Sequence, residues 1–149
     1  MNELSDIIAI GSDHAGVQMK AYLIDNLSDE GFHFHDFGTM TEESVDYPDI
    51  AHALAKEVES GKYRFGVLMC GSGNGVAIVA NKYPGIRAAI CWTKELAKLA
   101  RLHNDANILV LPARFIKPEE ALENAKEFFS TDFEGGRHQR RVDKISQIL

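Results

Sequence analysis

Short apolar runs alternate with segments of helical periodicity along the chain, and this alternation limits the possible folds more than any other feature. The runs are residues 7–10, 32–37, 65–70, 87–91 and 107–111, of which 32–37 alternates Phe with His and Asp and so predicts a strand with one polar face. A segment with apolar residues at helical spacing follows each run. Nearly continuous apolar strands that alternate with helices are typical of a parallel sheet covered on both faces. The sequence therefore predicts an α/β fold: a three-layer sandwich with a five-stranded parallel sheet, followed by a C-terminal helix.

The helical segments predict which side chains face the core and where several helices begin or end. Gly31 is the predicted stop of the first helix, Pro48 the first position of the second and Thr93 the N-cap of the fourth. The third helix is predicted over 76–82 and the last near 137–148. The predicted apolar faces are Val17, Ala21, Ile24 and Leu27 in the first helix; Ile50, Leu54 and Val58 in the second; Leu96, Leu99 and Ala100 in the fourth; Leu122, Ala125 and Phe129 in the fifth; and Val142, Ile145 and Ile148 in the last.

Composition and charge exclude several classes of function. The 149 residues are expected to form one domain over 1–149, large enough to hold a core without disulfides or a structural metal. Sixteen basic against 22 acidic residues give a net charge of −6, which argues against nucleic acid or an anionic membrane surface as a partner. No apolar stretch approaches the roughly 20 residues that span a bilayer, and the acidic N-terminal segment is unlike a signal peptide. Two cysteines without C-x-x-C spacing favour a reducing compartment, so a cytoplasmic protein is expected.

The loop at 70–75 is the strongest indication of chemistry. It reads Cys70, Gly71, Ser72, Gly73, Asn74, Gly75 and directly follows the third apolar run. Glycine at every second position exposes backbone N–H groups that suit an anion or a developing oxyanion, and such dipoles favour the thiolate of a nearby cysteine. The spacing is not a dinucleotide-binding fingerprint, because Val76 stands where a third glycine is required. The alternative is a tight turn beside a buried, inert cysteine, which is the interpretation we favour for Cys91.

Histidines at two other junctions have both a functional and a structural interpretation. Asp13 and His14 follow the first apolar run, where the pair suits proton transfer and anion binding. Equally, Asp13 is a helix cap and His14 a solvated turn residue. The loop is not a P-loop, because Val17 stands where a lysine is required. His103 ends the fourth helix seven residues after Leu96, so a core-facing or C-capping histidine is the alternative to a functional one.

One basic cluster stands out in an acidic protein. Arg137 and Arg141 are four residues apart, so on a helix they share a face. Two guanidinium groups one turn apart suit a phosphate, and the glycine pair at 135–136 predicts a helix start whose dipole adds to the attraction. The alternative is a solvated terminal helix. Arg114, at the end of the fifth run, is a third candidate for anion binding.

These segments together resemble the ribose-5-phosphate isomerase B family, which is grouped with the galactose-6-phosphate isomerase subunits. The matching stretches run in the family's order from near the first residue to near the last: 11–16, 46–48, 70–75, 80–82, 85–88, 101–107 and 134–142. No single stretch is decisive, but together they are highly specific. The predicted sheet is Rossmann-like, and the resemblance implies a homodimer, or a tetramer built as a dimer of dimers, whose active sites are shared between subunits.

The resemblance implies interconversion of ribose 5-phosphate and ribulose 5-phosphate, a step of the pentose phosphate pathway, through an enediolate without a metal or organic cofactor. It makes Cys70 the base, because the carboxylate that some relatives carry just beyond the loop is replaced here by Val76. Ser72 and the loop amides would stabilise the enediolate, His103 would assist ring opening, and Asp13 would move protons between oxygens. The implied substrate-binding residues are Asp13, His14, Tyr47, Gly71, Ser72, Gly73, Asn74, Gly75, Asn104, Arg114, Arg137 and Arg141.

Three alternatives stay open at this point. The same chemistry on the same fold would serve a hexose 6-phosphate of the allose or galactose type. Cys70 and His103 would also suit a cysteine hydrolase as nucleophile and base. Without catalysis, the loop at 71–75 would serve a nucleotide- or phosphate-binding module.

Overall fold

The computed structural model describes residues 6–148. Its strands are β1 (Ile7–Ser12), β2 (His33–Asp36), β3 (Gly66–Cys70), β4 (Ala88–Ile90) and β5 (Ile108–Pro112). Its helices are α1 (Val17–Ser28), α2 (Tyr47–Glu59), α3 (Asn74–Ala80), α4 (Lys94–Asn104), α5 (Pro118–Ser130) and α6 (Arg137–Lys144), with a 3-10 turn over His14–Gly16 before α1. The predicted alternation of strands and helices is confirmed. Within residues 6–148, no helix is both long and apolar enough to cross a membrane.

The five strands form one parallel sheet in the order β2-β1-β3-β5-β4. The strand after β1, which is β2, lies at one edge of the sheet, whereas the strands after β3, which are β4 and β5, lie on the opposite side. The direction of winding therefore reverses between β1 and β3. Ligands of open parallel sheets bind outside the carboxyl ends of the strands at such a reversal. Ser12 and Cys70 end the two strands at this point.

Two apolar cores lie on the two faces of the sheet. Helices α1, α4 and α5 cover one face, where Leu23, Leu109 and Phe128 are fully buried. Helices α2 and α3 cover the other face, where Leu54 and Leu68 are fully buried. The predicted three-layer arrangement is thus confirmed. Burial of both faces explains why β1, β3 and β5 read as nearly continuous apolar runs, whereas the edge strand β2 alternates between exposed and half-buried residues.

The buried face of α1 differs from the predicted one. Ala21 is exposed, whereas Leu23 and the charged Lys20 are buried. Lys20 Nζ donates hydrogen bonds to Asp36 Oδ1 at 2.7 Å and to the carbonyl oxygen of Thr39 at 2.5 Å. A buried ammonium group is tolerated because it is paired in this way. The apolar pattern of α1 was misleading because one of its packed positions is a lysine.

The apolar faces predicted for α4 and α6 are confirmed only in part, since Ala100 is buried and Leu99 and Val142 are half-buried. On α4 the buried residues include Ala97 and Ala100, whose small side chains allow close packing on α5, and Leu96 is 45% exposed. His103 therefore does not lie on a core-facing stripe. At the end of the chain, Ile145 and Ile148 are 54% and 98% exposed, because α6 ends before either residue.

Candidate active site

Residues from four loops lie at the carboxyl edge of the sheet. We call this group the carboxyl-edge cluster, and its members are Asp13, His14, Tyr47, Cys70, Gly71, Ser72, Gly73, Asn74, Gly75 and Arg114. Asp13 follows β1, the 70–75 loop follows β3 and Arg114 follows β5. The amide of Asp13 donates a hydrogen bond to the carbonyl oxygen of Met69 at 3.2 Å, which joins the first two loops. The cluster thus lies at the winding reversal, where the fold places ligands.

Cys70 stands at the entrance of a loop with unused backbone donors. The residue is 5% exposed, and Gly73 takes the left-handed conformation (φ 81°) from which α3 begins. Asn74 N donates to Ser72 Oγ at 3.2 Å, but no hydrogen bond among residues 6–148 uses the amides of Gly71, Ser72 or Gly73 as donors. A run of such amides beside a thiol suits a developing oxyanion.

Arg114 and Tyr47 pack against the two ends of this loop, at Gly71 and Gly75. The amide of Arg114 donates to the carbonyl oxygen of Gly71 at 3.0 Å, and its guanidinium lies 3.4 Å from where a Cβ on Gly71 would stand. The ring of Tyr47 would lie only 2.6 Å from a Cβ on Gly75. Glycine at 75 is therefore required for the close approach of the tyrosine ring to the loop.

The structure confirms the capping role of Asp13 and gives His14 a defined orientation. Asp13 Oδ1 accepts a hydrogen bond from Ala15 N at 3.0 Å and so caps the 3-10 turn. His14 Nδ1 accepts from Val45 N at 3.3 Å. Because Nδ1 is the acceptor, the neutral His14 ring carries its proton on Nε2, which leaves that N–H for an anion.

A cleft of about 390 Å³ lies beside the cluster, and its lining includes His14, Gln18, Glu42 and Arg114. A guanidinium together with an imidazole N–H is a donor set that suits a phosphate group. The carboxylate of Glu42 lines the same cleft, where its Oε1 accepts a hydrogen bond from Gln18 Nε2 at 2.7 Å. The lining of the cleft therefore includes donors for an anion and one hydrogen-bonded carboxylate.

The remaining predicted site residues lie elsewhere, at the end of α4 and on α6. We call them the α4–α6 cluster: His103, Asn104, Arg137 and Arg141. Arg137 and Arg141 are both exposed and lie one turn apart on α6, which begins after Gly136 as the sequence predicted. Asn104 lines a groove of about 320 Å³ along the edge strand β4. The cluster thus presents two cations and an amide to the surroundings.

Arg101 fixes the end of α4 and the segment that leads to α6. It is 2% exposed, and its Nη1 donates to Asp105 Oδ1 at 2.8 Å and to the carbonyl oxygen of Ala106 at 2.7 Å. Its Nε donates to the carbonyl oxygen of Thr131 at 3.0 Å. Asp105 caps α4 in the left-handed conformation, with φ 47°. The turn after His103 is therefore held by a buried network.

The two clusters of one chain lie at opposite edges of the sheet. Helix α4 begins after the carboxyl end of β4 and ends before the amino end of β5. Cys70 pairs with Pro112 at the end of β5, four residues beyond Ile108 at its start, so about 13 Å of strand separates the two edges. His103 lies near the amino end of β5, which begins at Ile108. Because an acid and a base must both lie within hydrogen-bond reach of the substrate, a site that uses both clusters needs a second chain.

His138 is a residue of interest to which the sequence analysis assigned no role. Its ring stacks on that of His103, with centroids 4.2 Å apart and planes 14° from parallel. His138 is buried, and burial together with the neighbouring His103 lowers its pKa. Val142, four residues further on, is half-buried. Helical spacing from Val142 is the signal that would have placed His138 on the packed face of α6.

His103, Glu134 and His138 are close enough to be considered as metal ligands, since their ligand atoms lie within 4.8 Å of one another. The stacking of the two rings opposes this. The lone pairs of an imidazole lie in its ring plane, and two nearly parallel planes do not direct their lone pairs to one point. His103, Glu134 and His138 are therefore poorly arranged to bind a metal ion.

Cys91 is a core residue, as predicted. It is 1% exposed, and burial raises the pKa of its thiol to about 12. A thiol that stays protonated is inert as a base or nucleophile. Of the two free cysteines, Cys70 is the one beside unused backbone donors.

Comparison with known proteins agrees with this geometry. A family model described as ribose/galactose isomerase matches residues 8–145. The crystal structure of a ribose 5-phosphate isomerase from Thermotoga maritima is 48% identical, with a TM-score of 0.93 over 95% of this chain and 98% of that one. Ribose-5-phosphate isomerase B from Mycoplasma genitalium, solved with bound ribulose-5-phosphate, is 40% identical, with a TM-score of 0.89 over 94% of this chain and 93% of that one.

The same comparison reaches a relative with a different sugar in its name. The D-erythrulose-4-phosphate isomerase of Pectobacterium atrosepticum is 42% identical over 93% of this chain and 91% of that protein. Members of one family thus differ in the carbon number of the named sugar. The chain belongs to the ribose/galactose isomerase family, which confirms the resemblance to ribose-5-phosphate isomerase B that the sequence motifs indicated.

Proposed function

We propose that this protein is an aldose–ketose isomerase that interconverts ribose 5-phosphate and ribulose 5-phosphate through an enediolate. The carboxyl-edge cluster carries the proposal, because a buried thiol, a run of unused amides and a guanidinium surround one loop at the winding reversal. Two solved relatives with the same fold are ribose 5-phosphate isomerases, and one of them holds ribulose-5-phosphate. The proposed reaction uses no metal or organic cofactor, since a base and an oxyanion cradle suffice for it.

In the proposed reaction the thiolate of Cys70 removes the proton from C2 of the open-chain aldose. The electrons of that C–H bond form the C1–C2 double bond, and O1 becomes an oxyanion stabilised by the amides of Gly71, Ser72 and Gly73. Asp13 transfers the proton of the O2 hydroxyl to O1, which moves the negative charge to O2, and the C2 ketone forms from this oxyanion when C1 is protonated. The thiol then returns its proton to C1, so Cys70 ends in its starting state.

Ring opening precedes this step, because ribose 5-phosphate is mostly a closed five-membered ring. We assign to His103 the donation of a proton to the ring oxygen. The phosphate is held by Arg114 and the Nε2–H of His14 from one chain, and by Arg137 and Arg141 from another. Charge-assisted hydrogen bonds from four donors give the phosphate a fixed position relative to the thiol.

Each active site is proposed to be shared between two subunits of a homodimer, or of a tetramer made from two dimers. The distance between the two clusters supports this, because neither cluster alone has a base, a ring-opening group and all the arginines. Leu96, Ile145 and Ile148 offer exposed apolar surface for a second copy. Tyr47 from one subunit and Asn104 from the other are assigned to the sugar hydroxyls.

The proposed enzyme is one domain over residues 1–149 and acts in the cytoplasm. Both cysteines of the chain are free. A catalytic thiol such as Cys70 stays reduced in that compartment.

The test is an isomerisation assay over phosphorylated sugars of four, five and six carbons. Ribose 5-phosphate is expected to give the highest kcat/KM, with erythrulose 4-phosphate, allose 6-phosphate and galactose 6-phosphate well below it. The four-carbon sugar is included because of the Pectobacterium relative. A higher kcat/KM for another sugar would change the substrate assignment and leave the chemistry standing. No isomerisation of any of them would refute the proposal.

A second experiment tests the role of Cys70 as the base. Cys70→Ala is expected to lower kcat by about 10²–10⁴-fold, as is typical when a general base is removed, with KM changed only several-fold. The thiolate acts on a C–H bond in the transition state and adds little to ground-state binding. Cys91→Ala is the matched control and should keep kcat within about twofold. Retention of more than about a tenth of kcat by Cys70→Ala would contradict the assignment.

A further inference from the structure

The ring of His138 contacts His103 through its face. The two centroids are 4.2 Å apart and the planes differ by 14°. His138 projects from α6 and His103 from the last turn of α4, so the stack joins the two helices. The side chain of His138 is 8% exposed, whereas His103 is half-buried. His138 is therefore the fixed partner of the pair and His103 the one that other molecules can reach.

The nitrogen atoms of His138 contribute little to this contact. Its Nε2 is buried and has no hydrogen-bond partner within residues 6–148. The nearest carboxylate oxygen, Oε2 of Glu134, is 3.8 Å away, beyond hydrogen-bond distance. Burial, His103 and the charges of Arg137 and Arg141 all lower the pKa of His138, against the opposite effect of Glu134. The lowered pKa favours the neutral form of the His138 ring, which stacks on His103 without charge repulsion.

The backbone on both sides of the stack is also fixed. Glu134 N donates to the carbonyl oxygen of Leu102 at 3.1 Å, immediately before His103, and His138 N donates to the carbonyl oxygen of Gly135 at 3.0 Å. The buried network of Arg101 holds the other side of the α4 terminus. With both backbones held, the face of His138 limits the rotation of the His103 ring about its side-chain bonds.

We infer that His138 is a positioning residue, whose ring face holds the imidazole of His103 in the orientation needed to donate a proton to the ring oxygen of the sugar. This inference rests on the proposed function, in which His103 opens the ring. His138 itself touches no substrate. Displacement of a catalytic group by about an ångström costs up to 10²-fold in rate, so loss of the stack should be visible in turnover.

The experiment compares His138→Leu with His138→Phe. Leucine fills the buried space without a ring, whereas phenylalanine keeps a planar face and lacks the nitrogens. Gln139→Leu, at an exposed neighbour on α6, is the matched control. All variants keep Arg137 and Arg141, so KM for the phosphosugar should stay within about threefold of the unaltered enzyme in each of them.

Two readouts separate ring opening from proton abstraction. The first is turnover of ribose 5-phosphate, which begins from the closed ring. The second is incorporation of deuterium at C1 of ribulose 5-phosphate in heavy water, followed by NMR. Ribulose 5-phosphate has no ring to open, because the phosphate occupies the hydroxyl that would close a five-membered ring on C2. The second readout therefore depends on Cys70 and does not depend on ring opening.

We expect His138→Leu to lower ribose 5-phosphate turnover about tenfold or more and to keep deuterium incorporation within about threefold. His138→Phe and Gln139→Leu should keep both readouts within about threefold. Equal loss of both readouts in His138→Leu would show that α6 has merely collapsed, and this would overturn the inference. So would a His138→Leu enzyme with full ribose 5-phosphate turnover, or a His138→Phe enzyme as impaired as His138→Leu.

Failure of the inference is distinguishable from failure of the proposed function. If the unaltered enzyme neither isomerises ribose 5-phosphate nor exchanges the C1 proton of ribulose 5-phosphate, the proposed function is wrong and the role assigned to His138 is wrong with it. If the unaltered enzyme shows both activities, the proposed function stands, and the variants at position 138 alone decide whether His138 positions His103.

Discussion

Two inactive variants should restore each other's activity when their subunits are mixed. The variants are Cys70→Ala, which damages the carboxyl-edge cluster, and His103→Ala, which damages the α4–α6 cluster. In one chain the two clusters are separated by the length of β5, about 13 Å. If each site takes one cluster from each of two chains, a mixed dimer has one site with both groups intact and one site that lacks both.

The size of the recovery follows from this pairing. After complete exchange of an equal mixture, about half of the dimers are mixed, and half of the sites in those dimers are intact, so about a quarter of the unaltered activity should return in a symmetric oligomer. The same fraction applies to a dimer of dimers, because each site still draws one cluster from each of two chains. If both residues of a site came from one chain, every site of a mixed dimer would carry one defect and the mixture would stay inactive.

The assay is turnover of ribose 5-phosphate after the two proteins have been partly unfolded and refolded together. Native mass spectrometry of chains with different isotope labels measures the fraction of mixed oligomers. A mixture of Cys70→Ala with Cys70→Ser is the matched control, because both changes lie in the same cluster and no intact site can form. Confirmed exchange without recovered activity would refute the shared site and leave the isomerase chemistry untouched.

Three further predictions concern single positions. Arg141→Ala should raise KM for ribose 5-phosphate about tenfold, since a charge-assisted hydrogen bond is lost, whereas Arg140→Ala should leave KM unchanged. Gly75→Ala should lower the free energy of unfolding by about 1–3 kcal/mol through collision with the Tyr47 ring, and Tyr47→Ala in the same chain should restore part of it, as measured by thermal melting. The pKa of His138 is lower in the folded chain than in the unfolded chain, so below about pH 6.5 the unfolded chain binds a proton at His138 more readily. The free energy of unfolding should therefore decrease as the pH falls below that value, and His138→Phe should weaken this decrease.

Each of these predictions has an outcome that would contradict it. Equal KM values for Arg141→Ala and Arg140→Ala would make the basic cluster a solvated face. Additive losses of stability in the Gly75 and Tyr47 double variant would mean that the ring does not lie against the loop. Parallel melting curves against pH for His138→Phe and the unaltered enzyme would mean that His138 has an ordinary pKa.

The strands and the site loop could be predicted because each depends on a local signal. A strand buried on both faces must be apolar at nearly every position, and this pattern is visible without any neighbour. The loop after β3 needs glycine at 73 for an equally local reason, its positive φ, whereas the glycine at 75 is required by the ring of Tyr47, which is distant in the sequence. The chain order of strands and helices then places Cys70 and Asp13 at the same edge.

The helix faces were less predictable because they depend on partners distant in the sequence. Lys20 is buried only because Asp36 lies beside it. Ile145 and Ile148 read as apolar helix positions, yet among residues 6–148 they are 54% and 98% exposed, and α6 has already ended. His138 is a polar residue whose sequence signal is its helical spacing from Val142, and its stacking on His103 follows from the packing of α6 on α4. Contacts between distant elements, rather than local propensity, decide these positions.

The placement of the two clusters at opposite edges of the sheet affects how such an enzyme evolves after gene duplication. Under the shared-site proposal, one gene copy can lose the 70–75 loop chemistry and the other can lose His103, and a pair of the two products still has one complete site. The two losses together are tolerated wherever the activity of the mixed dimers is sufficient, and neither product is then active alone. An obligate two-gene enzyme can therefore arise from this chain by loss of function only, with selection acting afterwards on the pairing of the two products.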